Sequence, residues 1–227
     1  MIEFLLLDLD DTILDFHKAE RIGITKTLED FGLHATEEVL TTYSAINKKH
    51  WEMLERGELT REEVLTGRFK ALFAHFGMDV DATACARRYE KHLSVGHYFL
   101  PGAEEAVQRL SKQYRLFLVS NGTASVQKGR MTSANLYPYF ERVFVSQEIG
   151  YNKPAKEYFD RCFEQIPDFD RSKAIIVGDS LTSDILGGIN AGIATCWVNP
   201  KGLPADTIQP DYQIKSITEL EQLLEQL

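Results

Sequence analysis

Three aspartates follow a short apolar run near the start of the chain, in Phe4-Leu5-Leu6-Leu7-Asp8-Leu9-Asp10-Asp11-Thr12. Four consecutive apolar residues predict a strand buried on both faces, as in parallel sheets. Asp8 and Asp10, two apart on an extended backbone, project to the same side. Carboxylates placed in this way repel each other unless a cation offsets them, and oxygen ligands favour a hard cation such as Mg²⁺. Taken alone, the pentad also fits an acidic, solvated turn. Three further polar clusters weigh against that: Ser120-Asn121-Gly122, Lys153-Pro154, and Gly178-Asp179 with Asp184 five residues on.

The elements that must position these clusters follow from periodicity. Leu116–Ser120, Val143–Ser146, Ala174–Val177 and Ile193–Val198 read as short apolar strands. Between and after them, Ala103–Lys112, Ser125–Ala134, Lys156–Gln165, Ser183–Ala191 and Thr218–Gln226 carry helical spacing. Strands alternating with helices predict an α/β fold, a Rossmann-like doubly wound parallel sheet that binds ligands at the carboxyl ends of its strands. The polar clusters fall at or just beyond such ends. Residues 16–97 differ, with no convincing strand and four helical stretches, Lys18–Phe31, Glu37–Arg56, Thr60–Phe76 and Ala82–Val95. Thr36 and Thr60 supply start signals, and Gly32 and Gly77 supply stops. The expected organisation is a core of residues 1–15 and 98–227 with an inserted α-helical domain over 16–97.

Bulk composition narrows the function classes. The chain has 227 residues, 44% of them apolar and 26% charged, with a net charge of −9. A binder of nucleic acid polymers needs clustered Lys and Arg, so that class is set aside, whereas a small anionic substrate in a local pocket is compatible. The apolar start is interrupted by Asp8, which reads as neither signal peptide nor membrane span. Cys85, Cys162 and Cys196 are odd in number and far apart, as expected of reduced thiols in a cytoplasmic protein. The six histidines show no metal-ligand spacing. A monomer is the default expectation.

In order along the whole chain, the four clusters resemble the motifs of the haloacid dehalogenase-like (HAD) hydrolases, nearly all of which are phosphatases. The helical insert lies where that family places its cap domain. The resemblance implies that Asp8 is a nucleophile, that Mg²⁺ is the cofactor, and that Asp179 ligates it together with Asp8 and the main-chain carbonyl of Asp10. Asp184 is then expected to hold a metal-bound water or to pair with Lys153.

The chemistry of phosphoryl transfer fits the same residues. It needs an in-line nucleophile, positive charge around the equatorial oxygens and control of the leaving-group proton. A carboxylate at Asp8 would form an aspartyl-phosphate, dividing hydrolysis into two steps. Asp10 would protonate the leaving oxygen and later take a proton from the attacking water. Ser120 offers a hydroxyl to phosphate oxygens, and Asn121 and Gly122 extend that cradle, Gly122 by letting the backbone come close. Lys153 would neutralise charge shared between Asp8 and the phosphoryl group, the plain alternative being an exposed lysine at a helix start. Thr12 is expected to orient the nucleophile loop by hydrogen bonding, or merely to cap its turn. Asp11 and Asp15 read as solvated turn residues. Among the aromatics of the insert, Tyr43 and Phe69 read as core; Phe16 and Trp51 are the candidates to stack on a base or sugar.

Asp10 and Asp179 favour a phosphatase over a dehalogenase, whereas the motifs alone also admit a sugar-phosphate mutase. A phospho-accepting receiver takes its phosphoryl group after a later strand and lacks a large helical insert; a non-catalytic binding module would not need every charged group expected for turnover. Within the family, Asp-Leu-Asp-Asp-Thr and the run from Gly187 to Asn199 resemble the bacterial pyrimidine 5′-nucleotidases. That implies a small phosphomonoester substrate such as UMP, dUMP or dTMP, with phosphoglycolate and sugar phosphates as the alternatives.

Overall fold

The structure, a computed structural model, describes residues 1–205 and 207–227. They form two compact units, Met1–Phe16 with His97–Leu227, and His17–Gly96.

The first unit is built on six parallel strands: β1 (Phe4–Leu7), β2 (Arg115–Ser120), β3 (Arg142–Val145), β4 (Ala174–Gly178), β5 (Ala194–Val198) and β6 (Tyr212–Ile214), in the order β3-β2-β1-β4-β5-β6. This is the doubly wound α/β arrangement that the alternation of strands and helices predicts. Side chains alternate between faces. Leu5, Leu7, Leu118, Val177 and Cys196 enter one apolar layer, and Phe4, Leu6, Phe117, Val119 and Ile176 enter the other. With helices over both faces, a central strand has no wet side, hence the unbroken apolar run at Phe4–Leu7. β1 sits between β2 and β4, with Leu7 opposite Leu118 on one side and Val177 on the other. That register sets the site. Ser120 and Asp179 each lie two residues beyond those partners, so the ends of three neighbouring strands deliver Asp8, Ser120 and Asp179 side by side.

The helical unit contains α2 (Glu37–Glu55), α3 (Arg61–Phe76), α4 (Ala82–Leu93) and most of α1 (Phe16–Asp30). Their limits follow local chemistry. Thr36 caps α2 by accepting from the Val39 N–H. Thr60 and Glu63 form a reciprocal capping box on α3, and Gly77, in the left-handed region at φ 64°, ends it. Tyr43, Phe69 and Tyr89 pack edge to face or tilted in the interior of this unit. Beside them runs a buried polar chain in which Arg68 donates to Asn47 (2.8 Å) and Asn47 donates to Glu20 (2.7 Å).

The helices of the sheet unit are α5 (Ala103–Leu110), α6 (Ala124–Ser133), α7 (Ser146–Ile149), α8 (Lys156–Phe163), α9 (Leu186–Ala191) and α10 (Leu220–Leu224). α9 is preceded by a wide π turn over Leu181–Ile185, where a continuous helix over Ser183–Ala191 was expected. The one-turn α7 and the strand β6 have no counterpart in the sequence expectation. β6 is three residues long, follows Pro210 and exposes Gln213, so it lacks the apolar run that marks the inner strands.

Candidate active site

Lys153 is the centre of the site. Its side chain is buried, and the ammonium donates to Asp8 Oδ1 (2.7 Å), Asp184 Oδ1 (2.6 Å) and the Val119 carbonyl (2.9 Å). All three N–H bonds are thereby used. The exposed helix-start alternative does not apply: α8 begins only at Lys156, and Lys153 precedes it in a loop closed by a cis peptide to Pro154. Asn121 holds that loop, accepting from the Lys153 N–H (2.8 Å) and donating to the Lys153 carbonyl (2.9 Å). The side chain of Asn121 thus clamps the backbone of Lys153. An amide, which both donates and accepts, is what such a two-way clamp needs.

Asp184 is fully buried and pairs with Lys153, one of the two roles expected of it, while its Oδ2 accepts from the Ser180 N–H (3.1 Å). Gly178 makes room for it, since a Cβ at residue 178 would lie 2.2 Å from the Asp184 carboxyl carbon. Asp8, Asp179 and Asp184 present carboxylate oxygens within 4.8 Å of one another. Burial is the main cause that pushes the Asp8 carboxyl up to about 8, against the pull of the Lys153 ammonium. Burial also raises Asp179 well above the usual carboxylate range, with Asp184, Asp8 and Asp11 adding to it. The ammonium of Lys153 is held above its normal range by Asp184 and Asp8, despite burial acting the other way. Three carboxylates thus face one ammonium among the described residues. Three clustered carboxyl groups, oxygen donors alone, are the donor set a hard divalent cation requires.

The side chain of Asp10 is not part of this group. It turns to α6, where Oδ2 accepts from Gln127 Nε2 (2.8 Å) and Oδ1 accepts from Arg130. Asp11 is no merely solvated turn residue. It takes the left-handed region at φ 53°, and its Oδ1 accepts from the Phe16 N–H (2.9 Å), tying the loop to the first turn of α1. Thr12 is fully buried, and its hydroxyl has no hydrogen-bond partner among the described residues. The loop-orienting hydrogen bond expected of Thr12 is therefore not made. Its neighbours in sequence Leu9, Ile13 and Leu14 are likewise fully buried.

Ser120 Oγ accepts from the Gly122 N–H (3.1 Å) and from Gln127 Nε2 (2.8 Å). A Cβ at residue 122 would meet the Gln127 side chain at 2.5 Å, so this amide also lies close against the glycine. Gln127, Arg130 and Trp197 were missed from the sequence. Trp197 Nε1 donates to the Asp179 carbonyl (2.7 Å) and so holds the turn that carries Asp179. The signal for the first pair was present: Gln127 and Arg130, three apart on the helix after Ser120-Asn121-Gly122, share a face. Phe16 lies with its ring 5.8 Å from the Arg130 guanidinium. Trp51 lies in the helical unit, beneath Arg61 at 5.5 Å, while Tyr43 and Phe69 are core there as expected.

With this geometry in view, comparison with known proteins defines the class. Residues 5–198 match the haloacid dehalogenase-like hydrolase family model, and the chain belongs to that family. Within the family it resembles the pyrimidine 5′-nucleotidases and is an enzyme of the phosphoric monoester hydrolase type. It is 37% identical to the pyrimidine 5′-nucleotidase PynA of Streptococcus pneumoniae, over 96% of this chain and 93% of that protein. Identity to the pyrimidine 5′-nucleotidase YjjG of Escherichia coli is 32%, over 98% and 97%. The HAD-hydrolase YfnB of Bacillus subtilis is 40% identical over 97% of this chain and 94% of its own. A crystal structure of YfnB bound to magnesium superposes with a TM-score of 0.94 at 39% identity, covering 99% of both chains.

Proposed function

We propose that this protein is a Mg²⁺-dependent phosphatase that hydrolyses small phosphomonoesters through an aspartyl-phosphate on Asp8. Pyrimidine nucleoside monophosphates (UMP, dUMP and dTMP) are its proposed substrates. The observation that carries the mechanism is the cluster of Asp8, half-buried Asp179 and Asp184, two of which pair with the buried ammonium of Lys153. The substrate class rests on the relatives named pyrimidine 5′-nucleotidases, which match nearly the whole chain.

In the first step a carboxylate oxygen of Asp8 bonds to phosphorus as the bond from phosphorus to the leaving oxygen breaks. Asp10 gives its proton to that oxygen. In the second step Asp10 takes a proton from a water that attacks phosphorus, and phosphate leaves as the Asp8 carboxylate re-forms. Lys153, bonded to Asp8 Oδ1, fixes the rotamer of the nucleophile and offsets charge on the carboxylate. Ser120 donates its O–H to a phosphate oxygen. Asp8, Asp179 and the main-chain carbonyl of Asp10 would hold the cation, leaving Asp184 to Lys153 and Ser180. A bound Mg²⁺ supplies charge neutralisation at the phosphate oxygens. The chemistry is assigned to the sheet unit and the cap role to the helical unit. Among the described residues no helix is long and apolar enough to cross a membrane; the enzyme is proposed to be cytoplasmic and monomeric.

The test of the mechanism is Asp8→Asn, measured as steady-state phosphate release with Mg²⁺ beside a thermal melt. The expected loss is at least about 10³-fold, the scale seen when a covalent nucleophile is removed, in a protein that remains folded. A folded variant working at the wild-type rate would overturn the assignment.

A further inference from the structure

We propose that Gln127 and Arg130 on α6 are positioning residues for Asp10, and that Gln127 ties this proton-transfer group to the phosphate-binding hydroxyl of Ser120. The inference rests on the phosphatase reading above and concerns how its general acid is held.

Both side chains are buried, Gln127 at 1% exposure and Arg130 at 0%. A buried guanidinium needs a partner, and Asp10 Oδ1 accepts from it. Gln127 Nε2 has two N–H bonds and divides them: one goes to Asp10 Oδ2 and the other to Ser120 Oγ, each at 2.8 Å. Its Oε1 accepts from Arg130 at 3.2 Å, which closes a triangle of Asp10, Gln127 and Arg130. A carboxyl group that accepts at both oxygens has one rotamer, and the proton it transfers would sit on the second lone pair of Oδ2, the one that Gln127 leaves open.

The same amide sets the polarity of Ser120. With Gly122 N–H and Gln127 Nε2 occupying both lone pairs of Oγ, the hydroxyl is left to act as a donor, as a phosphate oxygen requires. The absence of a side chain at Gly122 is what lets Gln127 reach between the two groups. α6 is already anchored by the buried apolar residues Val126 and Met131. The Gln127–Arg130 face therefore has a use besides packing, and the group it faces is Asp10.

The test compares UMP with p-nitrophenyl phosphate, whose leaving group needs little protonation. kcat and KM are measured with Mg²⁺ for the wild type, Arg130→Met, Arg130→Lys, Gln127→Ala, Asp10→Asn and the Asp10→Asn/Arg130→Met pair. We expect Arg130→Met to lower kcat on UMP by about 10²-fold, the lower end of what general acid–base catalysis contributes. The ratio of kcat on UMP to kcat on p-nitrophenyl phosphate should fall by about 10-fold, with KM for either ester changed far less. Arg130→Lys should restore part of the ratio. In the Asp10→Asn background, Arg130→Met should lower the ratio no further. Equal slowing on both esters, an effect confined to KM, or an undiminished effect without the Asp10 carboxylate would overturn the inference. If Arg130→Met does not fold, Gln127→Ala carries the same ratio test. A wild type inert to both esters would sink the phosphatase reading itself, whereas an active wild type with an unchanged ratio in the variants sinks this inference alone.

Discussion

At the scale of single residues, the site is an electrostatic problem with an incomplete solution. Lys153 meets Asp8 and Asp184 at 2.7 and 2.6 Å, and Asp179 stands beside them without an ammonium of its own among the described residues. Removing one partner of a buried ion group leaves uncompensated charge, which costs about 3–5 kcal/mol. Lys153→Met should therefore lower stability by roughly 3 kcal/mol or more in Mg²⁺-free buffer, read from urea unfolding. Adding Asp184→Asn to that variant should recover part of the loss, because one of the stranded carboxylates is then neutral. A Lys153→Met protein as stable as the wild type would show that the ammonium is not what offsets these acids. The role of Asn121 is also a matter of single atoms. Its amide exchanges two hydrogen bonds with the Lys153 backbone, a pairing across 32 residues that Ser-Asn-Gly in sequence does not announce.

At the scale of elements, most of the site was legible because motifs and strand ends coincide. Apolar runs ending in Asp8, Ser120 and Asp179 fixed which end of each strand would carry the chemistry, and parallel pairing of β1 with β2 and β4 brings those ends together. What escaped was whatever depends on a side chain reaching across from another element. Asp8 and Asp10, side by side on an extended backbone, suggested a shared task. In the structure the first faces Lys153 and the second faces α6. Gln127 and Arg130 escaped because neither breaks the helical periodicity of its stretch. Trp197 sits in an apolar strand, and its indole N–H finds the Asp179 carbonyl only because β5 lies beside β4. Thr12 ran in the other direction: its place in Asp-Asp-Thr suggested a loop-orienting hydrogen bond or a turn cap, but the residue is enclosed and its hydroxyl has no partner among the described residues. β6 was invisible because a three-residue edge strand needs no apolar run.

At the scale of the whole molecule, the same excess of acid links stability to pH and metal. Asp8 and Asp179 have folded-state pKa values above those of an unfolded chain, chiefly through burial. The folded protein therefore binds more protons than the unfolded one between about pH 4, where free carboxyls titrate, and about 8, the raised value of Asp8. Stability must then fall as pH rises through that window. The carboxylates whose pKa values are lowered, such as Glu141 and Asp160, act in the opposite sense but below the window. The metal-free protein should thus melt at a lower temperature at pH 8 than at pH 5.5, and Mg²⁺ should raise the melting temperature more at pH 8. A pH-independent melt with an equal Mg²⁺ effect at both values would contradict the assignment of the acid group. The central claim, that this acid group with its lysine hydrolyses phosphomonoesters with Mg²⁺, is tested most directly by phosphate release from one panel. That panel holds UMP, dUMP, dTMP, purine monophosphates, phosphoglycolate and common sugar phosphates, each with and without Mg²⁺. The predicted result is metal-dependent release that is greatest on the pyrimidine monophosphates. Folded protein that releases no phosphate from any ester in the presence of Mg²⁺ would contradict the account.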